Sequence, residues 1–226
     1  MSTGIKAIRN IAFVGHPSSG KTTLVDALAH ITGASSRKGS VADGTSICDT
    51  EPEEQDKKHT LQIAVVHAEH GEMVVELQNE LFGAGKVEPK HHAQSRPSPV
   101  EGEATNRALM IARLTGATAY IVHMTCRESV RALAVAREEG QLAYGETCPQ
   151  YLLLDDSVYE KPDFEGAKYV YTPPPRPKEN QEELWHALRS GVLSVVSTDH
   201  CPFNWDGQKT LGKDDFSLIP NGGVGI

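Results

Sequence analysis

From Glu103 to His200 short apolar runs alternate with segments whose apolar residues recur every three or four positions, which is the pattern of βα units. EATNRALMIARLTG reads as a helix, TAYIVH as a buried strand, ESVRALAVAREEG as a helix and LAYGET as a strand. KYVYT reads as another strand, NQEELWHALRSG as a helix closed by Gly191, and VLSVVSTDH as the last strand. Thr125 with Glu128, and Asn180 with Glu183, have the spacing of capping boxes. Upstream, Thr60 to His67 has a strand pattern, EMVVELQNELFG a helical one, and Lys86 to Pro99 reads as a His/Pro-rich loop. Strands alternating with helices of this length predict an α/β fold built around a parallel sheet or barrel.

The first sixty residues have a different texture. RNIAFVG is an apolar strand run, and KTTLVDALAHITG places Leu24, Ala27, Leu28 and Ile31 on one helical face, with Gly33 as C-cap. Between them, residues 15 to 22, GHPSSGKT, fit the phosphate-loop pattern G-x-x-x-x-G-K-[ST] in its proper strand-to-helix context. Gly15 and Gly20 admit close backbone approach to phosphate, Lys21 supplies a point charge, and Thr22 offers a hydroxyl to magnesium at a helix N-terminus. The stretch from Ala34 to Thr60 is polar and almost without periodicity, so a mobile surface loop is expected there.

This N-terminal run resembles the start of elongation factor G and related translational GTPases over about residues 7 to 70. The resemblance implies a nucleotide-binding set of Gly15, Ser18, Ser19, Gly20, Lys21, Thr22 and Thr23, with residues 38 to 60 as switch I and Thr60 as the magnesium-contacting threonine. GTP and Mg²⁺ are the ligands it implies. However, no D-x-x-G and no N-K-x-D follow, so the metal-holding aspartate and the guanine pocket are not represented.

A second set of polar residues falls at the ends of apolar strands: His67 in VVHAEH, His123 in AYIVHMTC, Thr172 in KYVYTPPPR and Asp199 in LSVVSTDH. In a (β/α)8 barrel that end carries the chemistry, and neutral imidazole with carboxylate suits zinc. His91-His92 is an adjacent pair in a polar loop and reads as solvated surface. From about His67 to the C-terminus the chain resembles dihydropyrimidinases and D-hydantoinases, cyclic amidases of the amidohydrolase superfamily. The resemblance rests on VHAEHG, RPSPVEGEATNRA, IVHMTC, YGETCPQYLLLDDSVYEKPDFEGAKYVYTPP, RPKENQEELWHALRSG, STDHCPFNWDGQK and DDFSLIPNGGVGI.

That resemblance implies that His67 and His123 are ligands of one zinc of a binuclear centre. Asp199 is implied as ligand to the other and as general acid/base, with Thr172 and Asn221 as substrate contacts. It also implies a small cyclic amide as substrate, Zn²⁺ as cofactor and a homo-oligomer. The family's His-x-His pair and bridging lysine belong to a part not represented, and no His-x-His occurs in the sequence. Pro175 stands where a leucine is commoner.

The sequence reading is therefore an incomplete (β/α)8 TIM-type barrel, residues 67 to 226, preceded by a phosphate-loop β-α-β segment, residues 1 to 66. The two resemblances meet at VVHAEHG, residues 65 to 71, as in a chimera. The expected activity is ring-opening hydrolysis of cyclic amides, lost in a chain with half a site, with GTP binding as the alternative. A formal charge of -8 without a Lys/Arg stripe argues against nucleic acid. No apolar run approaches the ~20 residues of a membrane span. Four scattered cysteines, Cys48, Cys126, Cys148 and Cys201, suit reduced thiols and a cytoplasmic setting.

Overall fold

The computed structural model describes residues 21–48 and 63–223, and the chain divides into two compact units, Met1–Ile63 and Ala64–Ile226. In the first unit, α1 spans Lys21–Ile31, and Gly33 behind it adopts the left-handed conformation expected of a helix stop (φ 76°). Leu24, Leu28 and Ile31, which share one helical face, are exposed, and the strand run RNIAFVG lies outside the described residues. The buried group of this helix is Asp26, whose Oδ1 accepts the Ile47 N–H at 2.9 Å. Gly39 lies so close that a Cβ there would sit 2.6 Å from that same oxygen.

The second unit carries the sheet. In chain order it contains β1 (Ile63–Val66), α2 (Gly71–Gly83), α3 (Lys90–Gln94), α4 (Ser98–Thr115) and β2 (Thr118–Ile121). There follow α5 (Arg127–Glu138), β3 (Ala143–Thr147), α6 (Pro149–Leu153), α7 (Glu179–Ser190) and β4 (Val195–Val196), with short 3-10 turns after α6 and β4. Strand order in the sheet is β1-β2-β3-β4, the order of the chain. β2 and β3 run parallel with Tyr120 beside Tyr144, and β3 and β4 run parallel with Glu146 beside Val195. Helices carry the connections between parallel neighbours, which is the βα crossover the sequence pattern predicts.

One face of the sheet holds the main core. Ala119 and Ile121 of β2 and Ala143 of β3 pack against Leu109 and Ala112 of α4, Leu133 and Ala136 of α5 and Leu184 and Ala187 of α7. Gly145 belongs to this face because nothing larger fits: a Cβ would lie 2.3 Å from Leu133 Cδ2 and 2.7 Å from Met124 Sδ. A second cluster of Val158, Tyr159, Ala167, Val170, Phe216 and Ile219 joins the 3-10 turns to Phe82 and Ala93.

Between α4 and α5 lies a buried charge pair. The Glu101 carboxylate accepts from the Thr125 N–H (2.8 Å), the Ser129 hydroxyl (2.7 Å), the Thr125 hydroxyl and the Arg176 guanidinium (2.9 Å). Burial alone raises a carboxyl pKa, but Arg176 and these donors outweigh it and hold Glu101 below the usual range. Arg176 in turn donates to the Arg96 carbonyl, tying the loop after α3 to the chain beyond α6.

Several local expectations change. Neither capping box forms: Thr125 is turned toward Glu101, and Asn180 Oδ1 accepts the Arg127 N–H (3.1 Å) while Glu183 pairs with Arg127 Nε (2.8 Å). Tertiary partners have taken the groups that local capping would use. KYVYT is not a strand; it finishes a 3-10 turn, Glu165–Tyr169, with Val170 and Tyr171 buried as an irregular segment. VLSVVSTDH contributes only Val195–Val196 to the sheet. The stretch from Lys86 to Pro99, expected as a loop, contains α3 and the first turn of α4, where Pro99 occupies a position that needs no N–H donor.

Candidate active site

The ends of β1 and β2 bring together the two histidines singled out by the sequence. His67 follows β1 on the surface, His123 follows β2 and is buried, and His67 Nδ1 lies 2.6 Å from His123 Nε2. Burial lowers the His123 pKa, and neighbouring His67 lowers it further, against the pull of Asp199 and Glu101. His123 also has φ 41°, and Asp199, three residues past β4, has φ 44°. Left-handed backbone in non-glycine residues is strained and clusters at functional sites, and here it falls on two of the strand-end positions.

A cleft of about 290 Å³ opens beside Asp199. Tyr151, Tyr171, Thr172, Thr198, Asp199 and Asn221 contribute to its lining. Thr172 donates its hydroxyl proton to Asn221 Oδ1 at 2.9 Å, so the two predicted substrate contacts form one polar wall.

His91 and His92 are not solvated surface. Both are buried on α3, where His91 Nδ1 bonds Gln94 Oε1 (2.8 Å) and His92 Nε2–H donates to the Tyr171 carbonyl (3.1 Å). Burial, aided by Arg96, pushes the His92 pKa down to about 3, so it stays neutral behind the cleft wall. Sequence reasoning also misses Lys209, whose ammonium is buried and donates to the carbonyls of Val170 (2.8 Å) and Pro220 (2.7 Å). No pattern in GQKTLG announces a buried lysine.

The fit of these donors to zinc is partial. Two nitrogens on one tetrahedral zinc at ~2.0 to 2.1 Å stand about 3.3 Å apart, whereas His67 and His123 are at hydrogen-bond distance. Among the described residues no group of three His, Cys, Asp or Glu side chains is placed to hold a metal ion. The described residues therefore do not fit a binuclear zinc centre by themselves. Of the phosphate-loop set, Lys21, Thr22 and Thr23 open α1. Gly15, Ser18, Ser19, Gly20 and Thr60 lie outside the described residues.

An α/β fold with a parallel sheet and polar residues at its strand ends is the architecture of TIM-barrel-type amidohydrolases. Within that class the likeness is to D-hydantoinases and dihydropyrimidinases. The chain is 51% identical over 167 residues to a D-hydantoinase of Rhizobium radiobacter, covering 74% of this chain and 36% of the relative. It is 48% identical over 161 residues to one from Geobacillus stearothermophilus, covering 71% and 34%. Among solved structures, dihydropyrimidinase from Brevibacillus agri matches with TM-score 0.71 and 53% identity over 71% of this chain and 35% of that one. The chain thus spans about a third of the length of the relatives it matches. At the other end, residues 6–93 match the elongation factor Tu GTP binding domain family. Residues from about 67 to 226 resemble hydantoinases, and those from about 7 to 70 a translational GTPase.

Proposed function

We propose that residues 67–226 are the later βα units of a cyclic-amide hydrolase barrel. Residues 1–66 are the opening of a translational GTPase joined to it, so the chain is a chimera of two families. The observation that carries the hydrolase reading is the convergence of His67 and His123, 2.6 Å apart at the ends of adjacent strands, within a segment half identical to D-hydantoinases. In a completed barrel the reaction is the opening of a dihydropyrimidine or hydantoin ring to an N-carbamoyl amino acid. Water oxygen bonds to the ring carbonyl carbon, the C–N bond breaks, and Asp199 carries the proton to the departing nitrogen. Thr172 and Asn221 hold the ring amide at the cleft wall. Zinc, the metal implied for this site, needs ligands beyond His67, His123 and Asp199.

The 226-residue chain is accordingly expected to retain well under one zinc per chain after dialysis and to show negligible turnover of dihydrouracil or hydantoin. Metal analysis and a ring-opening assay decide this, and full-rate hydrolysis would overturn it. Grafting residues 67–226 in place of the matching segment of an active D-hydantoinase is expected to preserve activity in the graft. Its loss on Asp199→Asn in a folded graft that keeps its full zinc content would support proton transfer by that residue.

The match of residues 6–93 to a GTP binding domain supports a second reading, weak phosphate binding at Lys21 and Thr22. Fluorescent GTP that binds the chain and is released by Lys21→Ala would favour it. A cytoplasmic setting and an oligomer like that implied for the hydrolase belong to the first reading.

A further inference from the structure

Lys209 stands at the start of the 3-10 turn Lys209–Gly212, behind the cleft rather than in it. It is 3% exposed, and its ammonium donates to two backbone carbonyls from segments that no sheet or helix joins: Val170 O at 2.8 Å and Pro220 O at 2.7 Å. Each accepting residue lies one or two positions before a cleft-wall residue, Thr172 in one segment and Asn221 in the other. The same Val170 oxygen accepts the Gly222 N–H at 3.1 Å, so ammonium and amide share one acceptor between the two segments. Gly222 is packed too closely to carry a side chain, because a Cβ there would lie 2.0 Å from the Cys201 carbonyl.

We propose that Lys209 is a positioning residue for the cleft: its ammonium, by bridging Val170 and Pro220, holds Thr172 and Asn221 together as one polar wall. A structural lysine whose methylenes merely filled space would not need its charge. Here two carbonyl oxygens converge on one nitrogen; a neutral amine also has two N–H groups, but only the ammonium's charge strengthens both hydrogen bonds and offsets the repulsion between the two oxygens. The titratable groups facing it are His92 on α3, which is neutral, and the Cys201 thiol after β4; the Phe203 ring lies 5.9 Å from the ammonium. Burial brings the ammonium pKa down to about 8, against a raising influence of Cys201, so in mildly alkaline solution the bridge gives up its charge and weakens.

That the wall contacts a cyclic amide rests on the proposed function; that Lys209 assembles the wall does not. The test is amide hydrogen exchange of the full chain at Gly222, whose N–H donates to Val170 O, between pH 7 and pH 9.5, corrected for intrinsic base catalysis. Wild type is expected to lose about tenfold of its protection across that range. Lys209→Arg, charged throughout, is expected to keep its protection, and Lys209→Met to lack it at both ends. Equal protection in Lys209→Met and wild type, or a pH dependence in Lys209→Arg matching wild type, would overturn the proposal. Should either variant fail to fold, the wild-type chain carries the test: the Lys209 side-chain NMR titration must share its midpoint with the Gly222 protection, and separate midpoints would refute the bridge. Ring-opening activity of the graft described above is read in parallel. Coupled exchange beside a folded but inactive graft of residues 67–226 would leave the bridge standing and reject the cyclic-amide reading.

Discussion

His92 shows how much a residue's chemistry depends on what covers it. Beside His91 in a polar stretch it has the look of surface, yet it is 2% exposed and its Nε2–H is committed to the Tyr171 carbonyl, 79 residues away. Its folded pKa of about 3 against 6.5 in the open chain means that the unfolded state binds more protons between those values. Stability therefore falls as pH drops through that window, by up to ~1.4 kcal/mol per unit. Urea melts at pH 6.5 and 4.5 are expected to show wild type losing about 2 kcal/mol more than His92→Gln over the interval. Equal losses would mean that His92 protonates without unfolding. His67 and His123, by contrast, were legible because each sits where an apolar run ends, a local signal. Burial of His91, His92 and Lys209 is set by Phe216, Tyr171 and Pro220, which come from other segments of the chain and leave no trace in the neighbouring sequence.

Among elements, the helices read most directly. α5 and α7 lie where their periodicity puts them, and Gly116 and Gly191 end α4 and α7 in left-handed conformations. Strands read less well because a short run of β-favouring residues has no period of its own: KYVYT carries Val170 between two tyrosines, but only TAYIVH finds a neighbouring strand. Caps failed for a related reason, since Glu101 and Arg127 compete for the groups that local capping would have used. Gly145 marks the tightest fit of helix to sheet, and Leu133 and Met124, both fully buried, have nowhere to retreat. Gly145→Ala is expected to cost about 1 to 3 kcal/mol in chemical denaturation. Adding Leu133→Ala is expected to recover part of that cost, giving a coupling that an unrelated pair would not show.

Among the described residues, the sheet ends at β1 on one side and β4 on the other. Val65 of β1 and Val196 of β4 are both exposed. Unpaired strand edges with apolar side chains invite association with other chains. Sedimentation velocity is expected to show concentration-dependent association that Val65→Lys together with Val196→Lys reduces. A strictly monomeric wild type at tens of micromolar, melting cooperatively at high temperature, would argue against open edges.

The order β1-β2-β3-β4 carries a further consequence for how such a chain comes into being. Each strand lies beside the one made just before it, so no pairing waits for a distant segment, and each new βα unit finds its docking partner already synthesised. At translation rates of roughly 5 to 20 residues per second, β2 and α4 have seconds to settle before β3 leaves the ribosome. The polypeptide can be added to the growing layer as it emerges, a unit at a time, in the direction in which it is written.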